Sequence, residues 1–200
     1  MIPILIIAIS FLLIIPFYKT RSYLSIWGGL DLLIGLSALG LRIKLLGLYP
    51  TRFFIGETVF VSGVVTVAIT LAVIAVFVTL KKDNLFRLKS AYFWKLLATY
   101  LGTGFFQQLF FQFVFLETIY FLVNGNVLLT AFLAAIFFSL FHLGEGIRKF
   151  YFLTLVMGFL FSGIYLLYGN LIWLALSHAL LGTFLYVLFI KDNILTRRFS

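Results

Sequence analysis

The chain contains no cysteine, which excludes disulfides, thiolate metal sites and a cysteine nucleophile. Charge is scarce as well. Only 10% of the 200 residues are Asp, Glu, Lys or Arg, against about 25% in a soluble domain, too few to dress a water-facing surface. Acidic residues are the rarer sign, 6 against 15 Lys and Arg, and histidine occurs only at His142 and His178. Proline is confined to Pro3, Pro16 and Pro50. None interrupts the middle of a long apolar run, which counts against the broken midplane helices that transporters use, and no internal repeat or inverted duplication is evident.

What the chain has is apolar sequence: 64% hydrophobic, including 26 Phe, with a mean hydropathy of +1.18. That content excludes disorder as well as a water-soluble globule. Apolar runs separated by charged or Gly/Asn breaks give about seven candidate spans of roughly 20 residues each. They are Ile2–Tyr18, Tyr23–Leu41, Ile55–Leu80, Leu96–Val123, Val127–Leu143, Phe150–Tyr168 and Leu171–Ile190. All read as helices, because lipid offers no partner to an unpaired backbone group and the runs are too long for barrel strands. The expected fold is therefore all-α, a polytopic integral membrane helical bundle. The second span is the least regular. Asp31 lies inside it, and Arg42 and Lys44 follow on an amphipathic stretch that ends at Tyr49-Pro50, so a shorter tilted span with an interfacial helix is an alternative there. Asn124-Gly125-Asn126 and Gly169-Asn170 carry the turn chemistry that joins antiparallel helices.

The net charge of +9 would point to nucleic acid in a soluble protein. Here the basic residues alternate between the ends of the spans. Lys19, Arg21, Lys81, Lys82, Arg87, Lys89, Lys95, Arg148, Lys149, Lys191, Arg197 and Arg198 fall on one side, and Arg42, Lys44 and Arg52 on the other. That asymmetry implies an N-terminus outside and a C-terminus inside a cell membrane, and no role in binding nucleic acid. The first span lacks a basic segment before it and a small-residue cleavage site after it, and is expected to be a retained helix rather than a signal peptide. The expected organisation is 1–95 as N-terminal membrane helices with a basic cytoplasmic loop, 96–190 as the membrane core, and 191–200 as a cytoplasmic tail.

Polar groups inside the spans are costly, so they usually face the bundle interior. The second span carries Asp31, the fourth Gln107, Gln108, Gln112 and Glu117, the fifth His142 and the seventh His178. On an α-helix Gln108 and Gln112 share a face and Gln107 lies about 100° round. Glu117 points roughly opposite, about 13 Å further along, and its expected role is that of an interfacial residue whose carboxylate snorkels to the headgroups.

Three helices thus present Gln107-Gln108-x-x-x-Gln112, Phe138-x-x-x-His142 and His178-x-x-x-Gly182, with 35 residues from Gln107 to His142 and 36 from His142 to His178. In order and placement this pattern resembles the CPBP (or ABI) family, the CAAX prenyl protease and bacteriocin-processing intramembrane endopeptidases. Its motifs are Glu-Glu-x-x-x-Arg, Phe-x-x-x-His and His-x-x-x-Asn. The resemblance covers residues 96–190. Gly104-Phe105-Phe106-Gln107-Gln108-Leu109-Phe110-Phe111-Gln112 is similar to the first motif with both glutamates and the arginine replaced by Gln. Phe138-Ser139-Leu140-Phe141-His142 matches the second, and Gly182 stands where the third has Asn.

The resemblance implies an endopeptidase acting on membrane-embedded or lipidated peptide or protein substrates. Its motif Glu would activate water and its His and Asn would orient water or stabilise the oxyanion. Carried over, the position of the base is Gln107, with Gln108 beside it. A primary amide keeps nearly the shape and hydrogen-bonding capacity of Glu but cannot take up a proton. The general-base contribution, typically 10²–10⁴-fold, would be missing, and activity is expected to be reduced or lost. A divalent metal is implied by the resemblance, but two His fall short of the three or four protein ligands of a zinc site. No cofactor is therefore expected. Asp31 is a candidate third ligand or replacement base that nothing in the sequence places near His142. The alternatives are a non-catalytic pseudoprotease that binds a hydrophobic peptide or lipid, and a small proton- or ion-coupled transporter in which Asp31, His142 and His178 line a path.

Overall fold

A computed structural model describes residues 2–12, 26–46, 58–142 and 150–190. The described residues are helical apart from short turns, with no strand among them. In chain order they form α1 (Ile2–Leu12), α2 (Ile26–Leu46), α3 (Thr58–Leu80), a 3₁₀ segment (Lys82–Lys89), α4 (Ala91–Gln108), a π-helical segment (Leu109–Leu116), α5 (Glu117–Leu122), α6 (Val127–His142), α7 (Tyr151–Tyr168) and α8 (Leu171–Phe189). Four helical runs are long and apolar enough to cross a membrane: α3, residues 91–122, α7 and α8. The α1 and α6 helices are shorter apolar helices, and α2 carries Asp31, Arg42 and Lys44. Lys19, Arg21, Arg52, Arg148, Lys149 and the tail from Lys191 lie outside the described residues.

Both predicted turns are present and have their expected cause. Asn124 (φ 53°), Gly125 (φ 79°) and Gly169 (φ 66°) hold left-handed backbone, which Gly adopts without penalty and Asn more readily than other residues. The Asn that follows each turn then caps the next helix. Asn126 Oδ1 accepts from Leu129 N at 3.0 Å and Asn170 Oδ1 from Trp173 N at 3.2 Å, satisfying backbone donors that a helix start leaves open.

Two compact units divide the chain: residues 1–50 with 109–167, and 51–108 with 168–200. In the first, α1 and α2 pack together and α1 also meets the π segment and α5. Its core is aromatic. The rings of Phe115 and Phe137 stack at 3.6 Å, and Phe111 lies edge-on to Phe137, Phe138 and Phe141 at 5.0–5.6 Å, the geometries that ring quadrupoles favour. Six consecutive residues, Phe111 to Leu116, are buried, so this stretch is enclosed on all sides. The α7 helix approaches α6 closely at Gly158, where an added Cβ would lie 3.1 Å from Phe138 Cδ1.

The second unit is organised on α8, which packs on α4 and α3. Some 61% of the apolar window of α8 is buried against 22% of that of α3. The former is therefore the central helix, and the latter offers Phe60, Leu71, Val76 and Leu80 outward, as a lipid-facing helix does. Close approach is set by small residues. A Cβ on Gly63 would fall 2.8 Å from the Trp173 ring, and Thr70 hydrogen-bonds Ser177 between the two helices.

Candidate functional site

In the second unit, α4 brings Gln108 to α8. Gln108 is fully buried and its Nε2 lies 3.2 Å from Nδ1 of His178, itself 8% exposed. With the amide nitrogen donating, Nδ1 holds the lone pair and the imidazole proton sits on Nε2. The backbone leaves room for this pair through glycine. A Cβ on Gly104, one turn before Gln108, would lie 3.2 Å from His178 Cδ2. Gln107 is half-buried on a neighbouring face of α4. Of the two adjacent amides, Gln108 is thus the one bonded to the histidine.

One turn after His178, Gly182 has no side chain because a ring fills the space. A Cβ there would come within 2.7 Å of Tyr100 Cε1. Tyr100 lies two turns before Gln108 on α4, with its ring centroid 6.4 Å from that of His178 and 5.9 Å from that of Tyr186. Gly182 and Tyr100 are therefore one substitution in physical terms: the amide expected on α8 is absent, and an aromatic ring from α4 takes its volume.

In the first unit lie Gln112, Phe138 and His142. His142 Nδ1 donates to the Phe138 carbonyl one turn back at 2.8 Å. Phe138 packs on the His142 ring with centroids 4.4 Å apart, so this motif residue positions the imidazole. Gln112 is 3% exposed and lies among Phe111, Phe138, Gly158, Phe161 and Ser162 in a crevice too narrow for water.

The expectation for Glu117 is overturned. Its carboxylate is paired with the Arg42 guanidinium from α2, and the two side chains are 15% and 6% exposed. Tyr165 OH of α7 donates to the other carboxylate oxygen at 2.7 Å, and Arg42 Cζ stands 4.7 Å over the Phe113 ring. Arg42 Nε and Nη1 are buried without a hydrogen-bond partner. The cause is the partner on α2: a carboxylate that finds a guanidinium and a phenol inside the unit has no need to reach the headgroups. The i→i+5 bonding of the π segment widens the turn, so residues five apart, Gln112 and Glu117, come toward one face and both meet α7. Arg42, Tyr165 and Tyr100 went unrecognised in the sequence. The available signal was that an arginine in an apolar helix needs a carboxylate, and the chain holds only 6 acidic residues.

Among the described residues no group of three or more His, Cys, Asp or Glu could hold a metal ion. The Nδ1 atom of His178 is engaged by the Gln108 amide. Asp31 lies on α2, and its side chain falls outside the described residues. Chemically, the arrangement can donate and accept hydrogen bonds in a neutral, largely buried environment, but the motif amides cannot hold a proton drawn from water.

The described residues thus combine helices long and apolar enough to cross a membrane with a buried imidazole–amide pair. The comparison with protein families makes that specific. Residues 89–184 match the family described as "Type II CAAX prenyl endopeptidase Rce1-like", so just under half of the chain is similar to that family's domain. No curated protein and no solved structure matches the chain.

Proposed function

We propose that this chain is a multi-pass protein of a cell membrane, with about seven spans, its N-terminus outside and its C-terminus inside. Its core at 96–190 recognises membrane-embedded or lipidated peptide or protein substrates with hydrolysis reduced or lost. The observation that carries the reading is the buried Gln108–His178 pair. In the family pattern a glutamate at this motif would accept a proton from water. An amide donates a hydrogen bond to the imidazole instead and cannot take up a proton. The remaining departures agree. Gln112 replaces the arginine that a buried carboxylate would need, and Gly182 with Tyr100 removes the amide expected beside His178. The Gln108–His178 pair is a neutral polar group suited to hydrogen-bonding the backbone of a bound extended segment. Gln107, Gln108, Gln112, Phe138, His142, His178 and Gly182 are the residues on which this role rests.

The test is proteolysis of membrane-anchored peptides in proteoliposomes. The wild type, His142→Ala and the Gln107→Glu/Gln108→Glu/Gln112→Arg variant are compared, with peptide binding measured in parallel. Binding without cleavage by the wild type, and cleavage regained by the triple variant, is the expected result. Cleavage by the wild type that disappears in His142→Ala would overturn the neutralised reading and make His142 the base.

A further inference from the structure

The turn between α3 and α4 has features that the site above does not use. Both the α3 helix and the helical run from Ala91 are long and apolar enough to cross a membrane. Only residues 81–90 join them, so the turn lies at the bilayer surface. No residue of its 3₁₀ segment is buried. Five basic side chains crowd into the turn and the first turns of α4: Lys81, Lys82, Arg87, Lys89 and Lys95, against the single acid Asp83. Among them stand two large aromatic residues that the protein leaves uncovered, Phe86 at 68% and Trp94 at 63% exposed.

This is a fixed surface. Asn84 Nδ2 donates to the Leu188 carbonyl at the end of α8 at 2.8 Å. Ser90 Oγ donates to the Arg87 carbonyl at 2.6 Å and accepts from Phe93 N at 3.3 Å. Leu88 packs against the buried cluster of Phe93, Leu96, Tyr186 and Val187. The Lys81 ammonium lies 5.3 Å from the Phe189 ring centroid and the Arg87 guanidinium 5.8 Å from that of Phe86. The charges are thus held beside aromatic rings, with Lys82, Lys89 and Lys95 exposed.

We propose that this turn is a binding surface for anionic phospholipid. The phosphate and headgroup oxygens pair with Lys82, Arg87, Lys89 and Lys95, while Phe86 and Trp94 enter the glycerol and upper acyl region. Charge complementarity selects the anionic lipid. Juxtamembrane Lys and Arg are attracted to anionic leaflets, and Trp beside a charged headgroup layer places an apolar ring where it is half wet. A soluble acidic partner would leave the uncovered aromatic pair unexplained at the level where acyl chains begin. The proposal rests on the chain spanning a membrane and is independent of the catalytic state of the site.

The test reconstitutes the full chain in phosphatidylcholine and titrates in brominated phosphatidylglycerol or brominated phosphatidylcholine, reading tryptophan fluorescence. The Trp94→Phe variant identifies the part of the signal that belongs to Trp94. Trp94 quenching is expected to show a preference for the glycerol lipid of about fivefold or more, the gain one basic residue gives near an anionic surface. In Lys82→Gln/Arg87→Gln/Lys89→Gln the preference falls toward one. Equal quenching of wild-type Trp94 by the two lipids, a comparison that needs no charge variant, overturns the proposal. So does a preference that survives in the triple variant.

Discussion

The two units of the chain treat buried polarity in opposite ways. One holds an ion pair, Arg42 with Glu117, backed by Tyr165 and by the face of Phe113. The other holds the motif amide and imidazole, Gln108 with His178, with no formal charge on the amide. The family pattern puts carboxylates and an arginine on the motif helix. In this chain that helix carries Gln107, Gln108 and Gln112, while five residues further on a carboxylate and an arginine from α2 form a pair of their own. Charge in an apolar surrounding persists only with a partner. Glu117 has one in Arg42, whereas Gln107, Gln108 and Gln112 are amides that need none.

The largest expected difference between the regions is therefore energetic. Removing one member of the ion pair, in Arg42→Leu or Glu117→Leu, strands a buried charge and is expected to cost about 3–5 kcal/mol, read as equilibrium unfolding in mixed micelles. Because Arg42 Nε and Nη1 lack partners, the pair repays its desolvation incompletely. The double variant Arg42→Leu/Glu117→Leu should then recover most of the loss. Single variants within about 0.5 kcal/mol of wild type, the range of ordinary surface changes, would mean that the pair is solvated.

A smaller effect is expected from returning the missing amide to the neutral site. Gly182→Asn drives its Cβ into Tyr100 and should destabilise by about 1–3 kcal/mol, the usual cost of overpacking. In the Tyr100→Ala background that penalty should vanish. The coupling between the two positions, measured as a double-mutant cycle, checks whether ring and glycine form one substitution. Additive costs would separate them.

The smallest effect separates the adjacent amides. Gln108→Met leaves His178 Nδ1 without its donor in a buried position and should cost about 1–2 kcal/mol. Gln107→Met, at a half-buried position, should stay within about 0.5 kcal/mol. Reversed magnitudes would return the central place to Gln107.

Much of the architecture was legible in the sequence because the bilayer leaves few choices. Apolar runs bounded by Asn-Gly and Gly-Asn turns must be helices, and the starts and ends of α6, α7 and α8 fall within one residue of those expected. The family was legible through Phe138, His142 and His178, residues whose spacing survives although their partners changed. Three things were not. The π segment is invisible to a 3.6-residue period, since Leu109 to Leu116 is apolar at nearly every position and marks no face. The Arg42–Glu117 pair joins residues 75 apart, a separation that no local pattern encodes. The Tyr100–Gly182 exchange is a matter of volume across two helices, and in the sequence Gly182 reads only as a missing Asn.

The Gln108–His178 contact is set by the direction of one hydrogen bond: Gln108 donates it to His178, where a glutamate would accept one. ¹⁵N spectra of the protein with labelled histidine, reconstituted in lipid, read this directly, with His178→Asn assigning the signal. For wild-type His178 the account predicts a neutral ring with a bare Nδ1 and a protonated Nε2, and in Gln108→Glu a proton moved to Nδ1 to meet the carboxylate. A wild-type His178 already protonated at Nδ1 and unchanged in Gln108→Glu would contradict it. It would show that the amide does not set the state of the site.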